Sequence, residues 1–576
     1  MPGFAGIIKN NNCQFEKFDI KISSLKKLSE EKIYFKKAWI KRFFIPKFID
    51  DKIFKDDDDL FICVDGAILN AKDLRNKCVV SNNFKLIKKM YKKNGPSFVN
   101  ELRGPFSGVI YNKKRDTWHI FTDHLSLKPI FYFWDNLNKC LIFGSEFKVI
   151  IDAMHFLGYK PKLCELSGYF LLTFGYMCGD YTLAEKVKRL QPGSILTFNN
   201  GTINIIQYYK LTSNPCNLDS PEKTISILDE RFKIAIRQEY EKDLEFKYRH
   251  ITTLSGGLDS RMNIAYAKKL KYKDLLCITF SQSDYLDEKI AKKIASDFNY
   301  EFLFYSLDNG NYLMDIRKPL LANSGLILYS GAAHSLRMLS LIDWTDFGLL
   351  HTGQMGDAIL GSYLLKPFHS KLSSDMIKTI AYSTKLTDRI PLSTLENLAN
   401  EYESGEMFGF YNRGINGIFN GDLMAQCFSE TTSPFLYIDF LDYAMKIDPK
   451  YRYEEQIYHK WIITYAPEIV KYPWEKTNAK ITTTPLGMFS KRVYRFIKKK
   501  IFGPSPINSM NPFEYWYHGN SNLRNFISNY FENHIDLLMD HSSLKKDVEF
   551  LFIKGDFLEK IQVLTLLAAI KMHNIE

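Results

Sequence analysis

The stretch ITTLSGGLDSR, residues 251–261, constrains the fold more than any other part of this sequence. Its apolar, β-branched start is typical of a buried strand, and the two glycines let the backbone turn sharply into a helix and approach a ligand closely. Backbone N–H groups at such a helix N-terminus, with two serine hydroxyls beside them, attract a polyphosphate. Asp259 would repel a bare phosphate but can hold Mg²⁺ that bridges phosphates. The stretch therefore predicts a polyphosphate site with Mg²⁺ between a strand and a helix.

The hydrophobic period of the chain changes near residue 211. Before it, short alternating segments such as FSGVIYN and TWHIFTD predict a β-rich sandwich with few helices, and NNGT at 199–202 predicts a hairpin. Turn-forming residues concentrate at 212–222, which we interpret as a linker. Residues 223–576 then alternate strands and helices, which predicts a parallel α/β sheet, and become helical after about residue 365.

The composition is that of a folded protein with two or more domains. The chain has 576 residues, of which 45% are hydrophobic and 15% aromatic. The nine cysteines are scattered without zinc-site spacing, so we expect free thiols, with Cys13 and Cys63 in the core. The sequence has no signal-peptide pattern and no run of 18 apolar residues, which predicts a soluble, cytoplasmic protein without an integral membrane segment.

The formal net charge of +12 comes mainly from dispersed lysine. Dispersed lysine predicts a solvated surface and no nucleic-acid partner. The densest basic cluster is SKRVYRFIKKKIFG at 490–503. It has the spacing of an amphipathic helix, which fits either an acidic peptide, phosphate or membrane surface or a plain solvated face.

The pattern S-G-G-x-D-S resembles the PP-loop of ATP pyrophosphatases, and the flanking segments narrow the resemblance to asparagine synthetases. The segments similar to their N-terminal domain are LRGPFSGVIYN (102–112), TDHLSLKPIFYF (122–133), FGSEFKVI (143–150) and RLQPGSILTF (189–198), and those similar to their synthetase domain are ITFSQSDYLDEKIAKKIA (278–295) and HTGQMGDAILGSYL (351–364). The resemblance runs from residue 1 to about 480. The superfamily also includes β-lactam and carbapenam synthetases and lasso-peptide cyclases.

This resemblance implies a fold and a chemistry. The fold is an α+β sandwich of the N-terminal-nucleophile type at 1–211, followed by an α/β PP-loop domain, adenine nucleotide α-hydrolase-like, at 223–576. The chemistry uses ATP and Mg²⁺ to convert a carboxylate into an acyl-adenylate, which an amine then attacks. The enzyme has to hold the pyrophosphate charge and orient the amine.

The resemblance also implies the residues of the synthetase site. Asp259 and Asp357 would hold Mg²⁺, and Lys476 would stabilise charge in the adenylation and amide-forming transition states, with Lys480 as a nearby competitor. The other implied positions for ATP and pyrophosphate are Leu254, Ser255, Gly256, Gly257, Leu258, Ser260, Thr279, Gly353 and Gly356.

Two further positions of the synthetase half raise questions. Gln354 stands where glutamine-dependent asparagine synthetases carry Glu and β-lactam synthetase carries Tyr. An amide cannot act as a general base near neutral pH, although it can orient an amine or a carboxylate. Arg261 follows the loop directly, so it either reaches a phosphate or substrate carboxylate or lies on the outer face of the helix.

The N-terminus departs further from the family. A glutaminase of this type needs a cysteine thiolate whose own α-amine acts as base, and Pro2 offers neither. The N-G-E stretch of glutamine-binding relatives is replaced by Asp65, Gly66 and Ala67. Asn82 or Asn83 replaces the aspartate that holds the glutamine amine. Glutamine hydrolysis is therefore predicted to be absent.

The sequence thus predicts an AMP- and pyrophosphate-forming C–N ligase with an inactive glutaminase domain. Its substrates would be a small-molecule, peptide or sugar-acid carboxylate and ammonia or another amine. Two kinds of enzyme fit equally. One is a cyclase like those that close lasso peptides, with a precursor-peptide partner. The other is an amidating enzyme like the asparagine-synthase-like proteins of polysaccharide gene loci. The alternatives are an ammonia-dependent asparagine synthetase and a nucleotide-binding pseudoenzyme that serves as a scaffold for a partner protein.

Overall fold

The computed structural model describes residues 2–10, 20, 24–215, 219–483 and 509–576. The strands are β1 Gly3–Lys9, β2 Ser29–Phe35, β3 Ala38–Phe44, β4 Ile53–Asp56, β5 Leu60–Gly66, β6 Phe106–Asn112, β7 Thr117–Thr122, β8 Phe131–Asp135, β9 Cys140–Gly144, β10 Val187–Arg189, β11 Ser194–Asn199, β12 Thr202–Gln207, β13 Arg249–Thr253, β14 Leu275–Ser281, β15 Glu301–Ser306, β16 Phe347–His351 and β17 Thr431–Thr432.

The α-helices are α1 Ala71–Cys78, α2 Asn83–Asn94, α3 Phe147–Phe156, α4 Glu165–Phe174, α5 Pro221–Glu245, α6 Leu258–Lys269, α7 Leu286–Phe298, α8 Arg317–Asn323, α9 Tyr329–Leu341, α10 Ser374–Thr379, α11 Leu392–Asn400, α12 Gly405–Phe408, α13 Asn420–Ala425, α14 Ile438–Met445, α15 Pro449–Arg452, α16 Gln456–Tyr465, α17 Pro467–Val470, α18 Phe513–Gly519, α19 Ser521–Glu532, α20 Ser542–Lys554 and α21 Phe557–His573. Two π-helical segments, Ala358–Ser362 and Gly409–Ile418, interrupt the synthetase half.

The N-terminal half contains two antiparallel six-stranded sheets, in the orders β10-β8-β9-β1-β3-β2 and β12-β11-β7-β6-β5-β4. Apolar side chains of both sheets, including Phe4, Ile40, Val109 and Leu196, share one buried core. This arrangement agrees with the predicted β-rich half. The predicted hairpin is also confirmed, because β11 and β12 pair directly across a two-residue turn that has positive φ angles.

The second half is built on a five-stranded parallel sheet in the order β15-β14-β13-β16-β17. The apolar spacing of DEKIAKKIASDF at 287–298 predicts an amphipathic helix, and α7 confirms it. The residues that α7 buries are Ile290, Ala291, Ile294, Ala295 and Phe298. β13 and β16 are neighbours, with Thr252 paired to His351. The loops that leave their carboxyl ends therefore lie side by side, where ligands bind in parallel sheets.

Some predicted features lie outside the described residues, namely the basic segment 490–503, Cys13, Cys216 and part of the linker. No disulfide joins the seven cysteines within the described ranges, and Cys63 is buried as expected. Among the described helices, none combines the length and the apolarity needed to cross a bilayer.

Candidate active site

The loop between β13 and α6 is organised by its own side chains. The Ser260 hydroxyl accepts a 3.0 Å hydrogen bond from the Ser255 N–H, and the Ser255 hydroxyl accepts one of 3.1 Å from the Gly257 N–H. Asp287, on α7, accepts a 2.6 Å hydrogen bond from the Gly256 N–H. These bonds fix a short turn at the N-terminus of α6, where backbone donors and the helix dipole favour an anion.

The loop after β16 approaches this turn closely, and glycine makes the approach feasible. A Cβ on Gly353 would lie 2.4 Å from the Ser260 nitrogen and 2.5 Å from the Asp259 carbonyl carbon. A Cβ on Gly356 would lie 2.6 Å from Asp259 Cγ. The loop needs these glycines because any larger residue would displace Asp259.

Asp259 and Asp357 are brought together by this approach. The Asp357 N–H donates a 3.0 Å hydrogen bond to Asp259 Oδ2, and the Tyr458 hydroxyl donates one of 2.8 Å to Asp259 Oδ1. Burial and the charge of Asp357 raise the pKa of Asp259 well above its ordinary value. Two like charges at the mouth of a phosphate loop fit a divalent cation, since Mg²⁺ takes carboxylate oxygens together with phosphate oxygens.

One cavity of about 350 Å³ lies where the two loops meet segment 474–476. The predicted site residues that line it are Ser255, Gly257, Leu258, Asp259, Ser260, Gly353, Gln354, Asp357 and Lys476. The other four predicted positions, Leu254, Gly256, Thr279 and Gly356, are not among the residues that line it. The Thr279 hydroxyl donates a 2.5 Å hydrogen bond to the Leu254 carbonyl and so links β14 to the end of β13.

Lys476 is the lysine that reaches the cavity, whereas Lys480 is not among its lining residues. Lys476 Nζ lies 3.1 Å from Glu455 Oε1 and 4.9 Å from the centre of the Trp474 ring. The Lys476 side chain is 55% exposed, while that of Glu455 is 7% exposed. The ammonium is therefore held at the cavity by a buried carboxylate and an aromatic face.

Arg261 occupies neither of its two predicted positions. Its side chain is buried, and its guanidinium donates hydrogen bonds to the Gly256 carbonyl at 2.6 Å and to the Tyr472 carbonyl at 3.4 Å. Arg261 therefore ties the phosphate loop to the segment that carries Lys476. The helix turns this position inward, which the pattern after the loop did not indicate.

Two comparisons with known proteins bear on this geometry. Family models match residues 51–209 as a glutamine amidotransferase domain and residues 233–410 as asparagine synthase, together more than half of the chain. The chain belongs to the asparagine synthetase superfamily.

The individual relatives share low sequence identity with this member of the asparagine synthetase superfamily. A Methanocaldococcus jannaschii protein named as a glutamine-hydrolyzing asparagine synthetase is 24% identical over 54% of this chain and 61% of its own length. Asparagine synthetase [glutamine-hydrolyzing] 3 of Bacillus subtilis is 26% identical over 36% of this chain and 33% of its own length. A protein of Acanthamoeba polyphaga mimivirus with a similar name is 22% identical over 80% of this chain and 78% of its own length. The chain thus spans less than two thirds of the first two relatives.

The N-terminal half of this superfamily member holds a buried ion network at Asp65, one of the positions predicted to be degenerate. Lys128 Nζ lies 2.5 Å from Asp65 Oδ2 and 2.9 Å from Glu430 Oε2, and Lys52 Nζ lies 2.9 Å from Glu430 Oε1. All four side chains are at most 3% exposed. Although burial alone would raise the pKa of Asp65, the charges of Lys128 and Lys52 keep it below its ordinary value. Glu430 comes from the synthetase half, so the network links the two halves.

The other positions that are predicted to be degenerate also make structural contacts. Pro2 is buried, and a Cβ on Gly66, which has φ +125°, would lie 3.0 Å from Lys128 Cδ. Asn82 caps α2 by accepting a hydrogen bond from the Lys85 N–H. The Asn83 amide donates a 2.6 Å hydrogen bond to Asp51 Oδ1.

Sequence reasoning missed four residues that line the cavity: Thr253, Glu455, Trp474 and Glu475. Trp474 and Glu475 precede Lys476 directly, so their position in KYPWEKTNAK was the available signal. Glu455 had no such signal, because RYEEQIYHKW contains two adjacent glutamates and the sequence does not say which one faces inward.

Proposed function

We propose that this protein is an ATP- and Mg²⁺-dependent ligase that joins a carboxylic acid to an amine. The observation that carries the proposal is the Asp259–Asp357 pair at the mouth of a strand–loop–helix phosphate site, in one cavity with Lys476. ATP activates the acid: a carboxylate oxygen attacks the α-phosphorus, pyrophosphate leaves, and the amine nitrogen then displaces AMP from the acyl carbon.

The chain's own residues have defined tasks in this proposal. The loop N–H groups and the hydroxyls of Ser255 and Ser260 would donate hydrogen bonds to the phosphates. The ammonium of Lys476 would stabilise the negative charge that develops in both transition states. The adjacent carboxylates Asp259 and Asp357 would hold Mg²⁺, and without a cation their proximity in a buried site is costly. That cost argues against a scaffold with an unused nucleotide site.

We further propose that the ligase does not obtain nitrogen from glutamine. Pro2 lacks the thiol and the primary amine that the N-terminal nucleophile requires. Lys128 is ion-paired to Asp65 beside Gly66, where relatives would bind glutamine. The nitrogen would therefore be ammonia or an amine on the second substrate. The N-terminal half would pack against the synthetase half and shield the acyl-adenylate from water.

The acid can be a small molecule, a peptide carboxylate or a sugar acid, and the enzyme can be a cyclase or a polysaccharide-locus enzyme. Aspartate is the first acid to test, because the relatives are named asparagine synthetases. The purified protein would be incubated with ATP, Mg²⁺, hydroxylamine and one of L-aspartate, L-glutamate, D-glucuronate or an acidic peptide, and pyrophosphate and hydroxamate would be measured.

We expect both products with at least one acid, and their loss in Asp259→Asn. The matched control is Asp388→Asn, which removes a carboxylate whose side chain is 95% exposed and should leave turnover unchanged. The proposal fails if no acid yields pyrophosphate above background, or if Asp259→Asn is as active as the unsubstituted protein.

A further inference from the structure

Glu455 carries a buried carboxylate that lines the candidate active site. The chemistry proposed above gives this carboxylate no role. Glu455 ends the segment Tyr453–Glu455 and directly precedes α16. Both Glu454 and Glu455 have positive φ angles, +53° and +61°, a left-handed conformation that residues other than glycine rarely adopt. Such conformations persist where the surroundings require them and cluster at functional sites.

Two acceptor atoms of this cavity are buried without a hydrogen-bond donor among the described residues. One is Glu455 Oε2 and the other is Gln354 Oε1. Both residues line the same cavity. Buried acceptors are normally paired, so two unpaired acceptors in one cavity indicate a ligand that brings N–H donors. A primary amine or ammonia has that chemistry.

The other oxygen of Glu455 already has a partner. Glu455 Oε1 lies 3.1 Å from Lys476 Nζ, which fixes the carboxylate at the cavity wall and leaves Oε2 available. The groups of the structure that face Glu455 are Lys476, His459, Asp357, Asp259 and Tyr458. Burial raises the pKa of Glu455 and Asp357 adds to this, while Lys476 opposes it. A carboxylate with a raised pKa is a stronger base than an exposed one.

The structure assigns Glu455 as the general base that takes the proton from the attacking amine, with Gln354 as the residue that orients it. This inference rests on the proposed function. As the amine nitrogen forms the C–N bond, the bond from the acyl carbon to the AMP oxygen breaks and AMP leaves with the electron pair. The proton released from nitrogen goes to Glu455 Oε2. A carboxylate at position 455 thus supplies the basicity that the amide of Gln354 lacks.

In this proposal His459 carries the proton from Glu455 to solvent. It lies one helical turn after Glu455 on α16, and its Nε2 is 3.7 Å from Glu455 Oε2. That Nε2 is also buried without a hydrogen-bond partner in the described chain, although 27% of the side chain is exposed. Burial lowers the pKa of His459, and the charge of Lys476 adds to this, so this position favours the uncharged imidazole.

A role for Glu455 as a third magnesium ligand fits less well. Within the described ranges, the ligand atoms of Glu455 do not form a close group with those of Asp259 and Asp357. A purely structural role, in which Glu455 only positions Lys476, is the remaining alternative. The two roles differ in which half-reaction they serve, because Lys476 would act in both halves and a base for the amine acts only in the second.

The test compares Glu455→Gln with Glu454→Gln, which changes the adjacent exposed glutamate. ATP–pyrophosphate exchange, with the acids named above, measures adenylation. Amide formation from ammonium chloride measures the second half-reaction, and hydroxylamine, largely unprotonated at neutral pH, replaces ammonia in a third assay. Glu455→Gln should retain exchange, lose ammonia-dependent amide formation by roughly 10²–10⁴-fold and regain product with hydroxylamine. Expressed per free ammonia, the rate of Glu455→Gln should also lose the acid limb of the pH profile, while Glu454→Gln behaves like the parent.

Three results would overturn the assignment. Full amide formation from ammonia by Glu455→Gln would show that Glu455 is not the base. Equal loss of exchange and amide formation, without recovery by hydroxylamine, would show that it serves only to position Lys476. If the unsubstituted protein shows no exchange with any acid, the proposed function itself fails and this inference fails with it.

Discussion

The backbone N–H of Asp357 donates a 3.0 Å hydrogen bond to the Oδ2 atom of Asp259. This bond joins two segments that follow neighbouring parallel strands, and it holds the Asp259 carboxylate against the backbone of Asp357. A cation between the two carboxylates would relieve the repulsion that burial intensifies.

Magnesium and nucleotide should therefore stabilise the fold through Asp357. At a ligand concentration about 100 times the dissociation constant, binding raises the free energy of unfolding by about 2.7 kcal/mol. Thermal unfolding with and without MgADP would measure this gain. We expect it in the parent protein and in Asp388→Asn, and expect most of it to vanish in Asp357→Asn. An equal rise in the melting temperature of Asp357→Asn would show that this carboxylate does not hold the cation.

Gly353→Ala should damage both the fold and the site. Its Cβ would overlap the Asp259 and Ser260 backbone, and relieving such a clash typically costs about 1–3 kcal/mol. Gly421→Ala is the matched control, because a Cβ there meets only Gln354 Nε2 at 3.8 Å and the residue lies within α13. Alanine in a helix is favoured over glycine by about 0.5–1 kcal/mol. Denaturant unfolding of both variants would check this, and comparable stabilities would contradict the close approach of the two loops.

Because of His351, the free energy of unfolding should fall as the pH becomes alkaline. The Nε2 atom of His351 lies 2.8 Å from Asp243 Oδ2 and the Nδ1 atom lies 3.3 Å from Glu239 Oε2, and all three side chains are buried. Burial alone would lower the pKa of His351, but the two carboxylates outweigh it and raise the pKa from 6.5 to about 9. His250 also bonds Asp243, and we interpret this close cluster as a hydrogen-bonded charge network.

Because folding raises the pKa of His351, protonation of its imidazole stabilises the folded state. The stabilisation from protonated His351 is fully present below pH 6.5 and is lost as the pH rises through about 9, a change of roughly 3 kcal/mol. Denaturant unfolding at about pH 6.5 and 9.5 would measure it, and His351→Gln should flatten the difference. His119, whose pKa burial lowers to about 4, is the control: His119→Gln should leave the alkaline dependence intact. An unchanged pH dependence in His351→Gln would contradict the account.

Glu430→Ala should weaken the contact between the two halves. The substitution would leave Lys52 buried without its carboxylate partner and would remove one of two partners of Lys128, and breaking a buried ion pair typically costs about 3–5 kcal/mol. Glu301→Ala removes a pair to Arg249 that is largely exposed, so its effect should stay below about 1 kcal/mol. Urea unfolding would compare the two variants, and similar losses would show that the network adds little.

Local sequence patterns predicted those parts of the molecule that depend on contiguous residues. The hairpin at 199–202 and the buried face of α7 follow from turn chemistry and helical spacing alone. The loop after β13 was also predictable from the sequence, because its glycines and serines act within a few residues of one another. Together with the resemblance, these patterns supplied nine of the residues that line the cavity.

Contacts between distant segments were not predictable in this way. Glu455 lies almost 200 residues after the phosphate loop, and it faces the cavity only because the chain bends at Glu454 and Glu455 before α16. The pairing of Lys128 with Glu430 depends likewise on how the two halves pack. Arg261 turned inward because carbonyl groups of a segment more than 200 residues away accept its hydrogen bonds.

The most direct measurement of the central claim is a single reaction in which pyrophosphate and glutamate are quantified together. The protein would receive ATP, Mg²⁺, an acid that supports exchange, and either ammonium chloride or glutamine. We predict pyrophosphate and amide with ammonium chloride, and glutamate at the background level with glutamine. Glutamate released in proportion to amide would contradict the inactive glutaminase half, and the absence of pyrophosphate under both conditions would contradict the ligase.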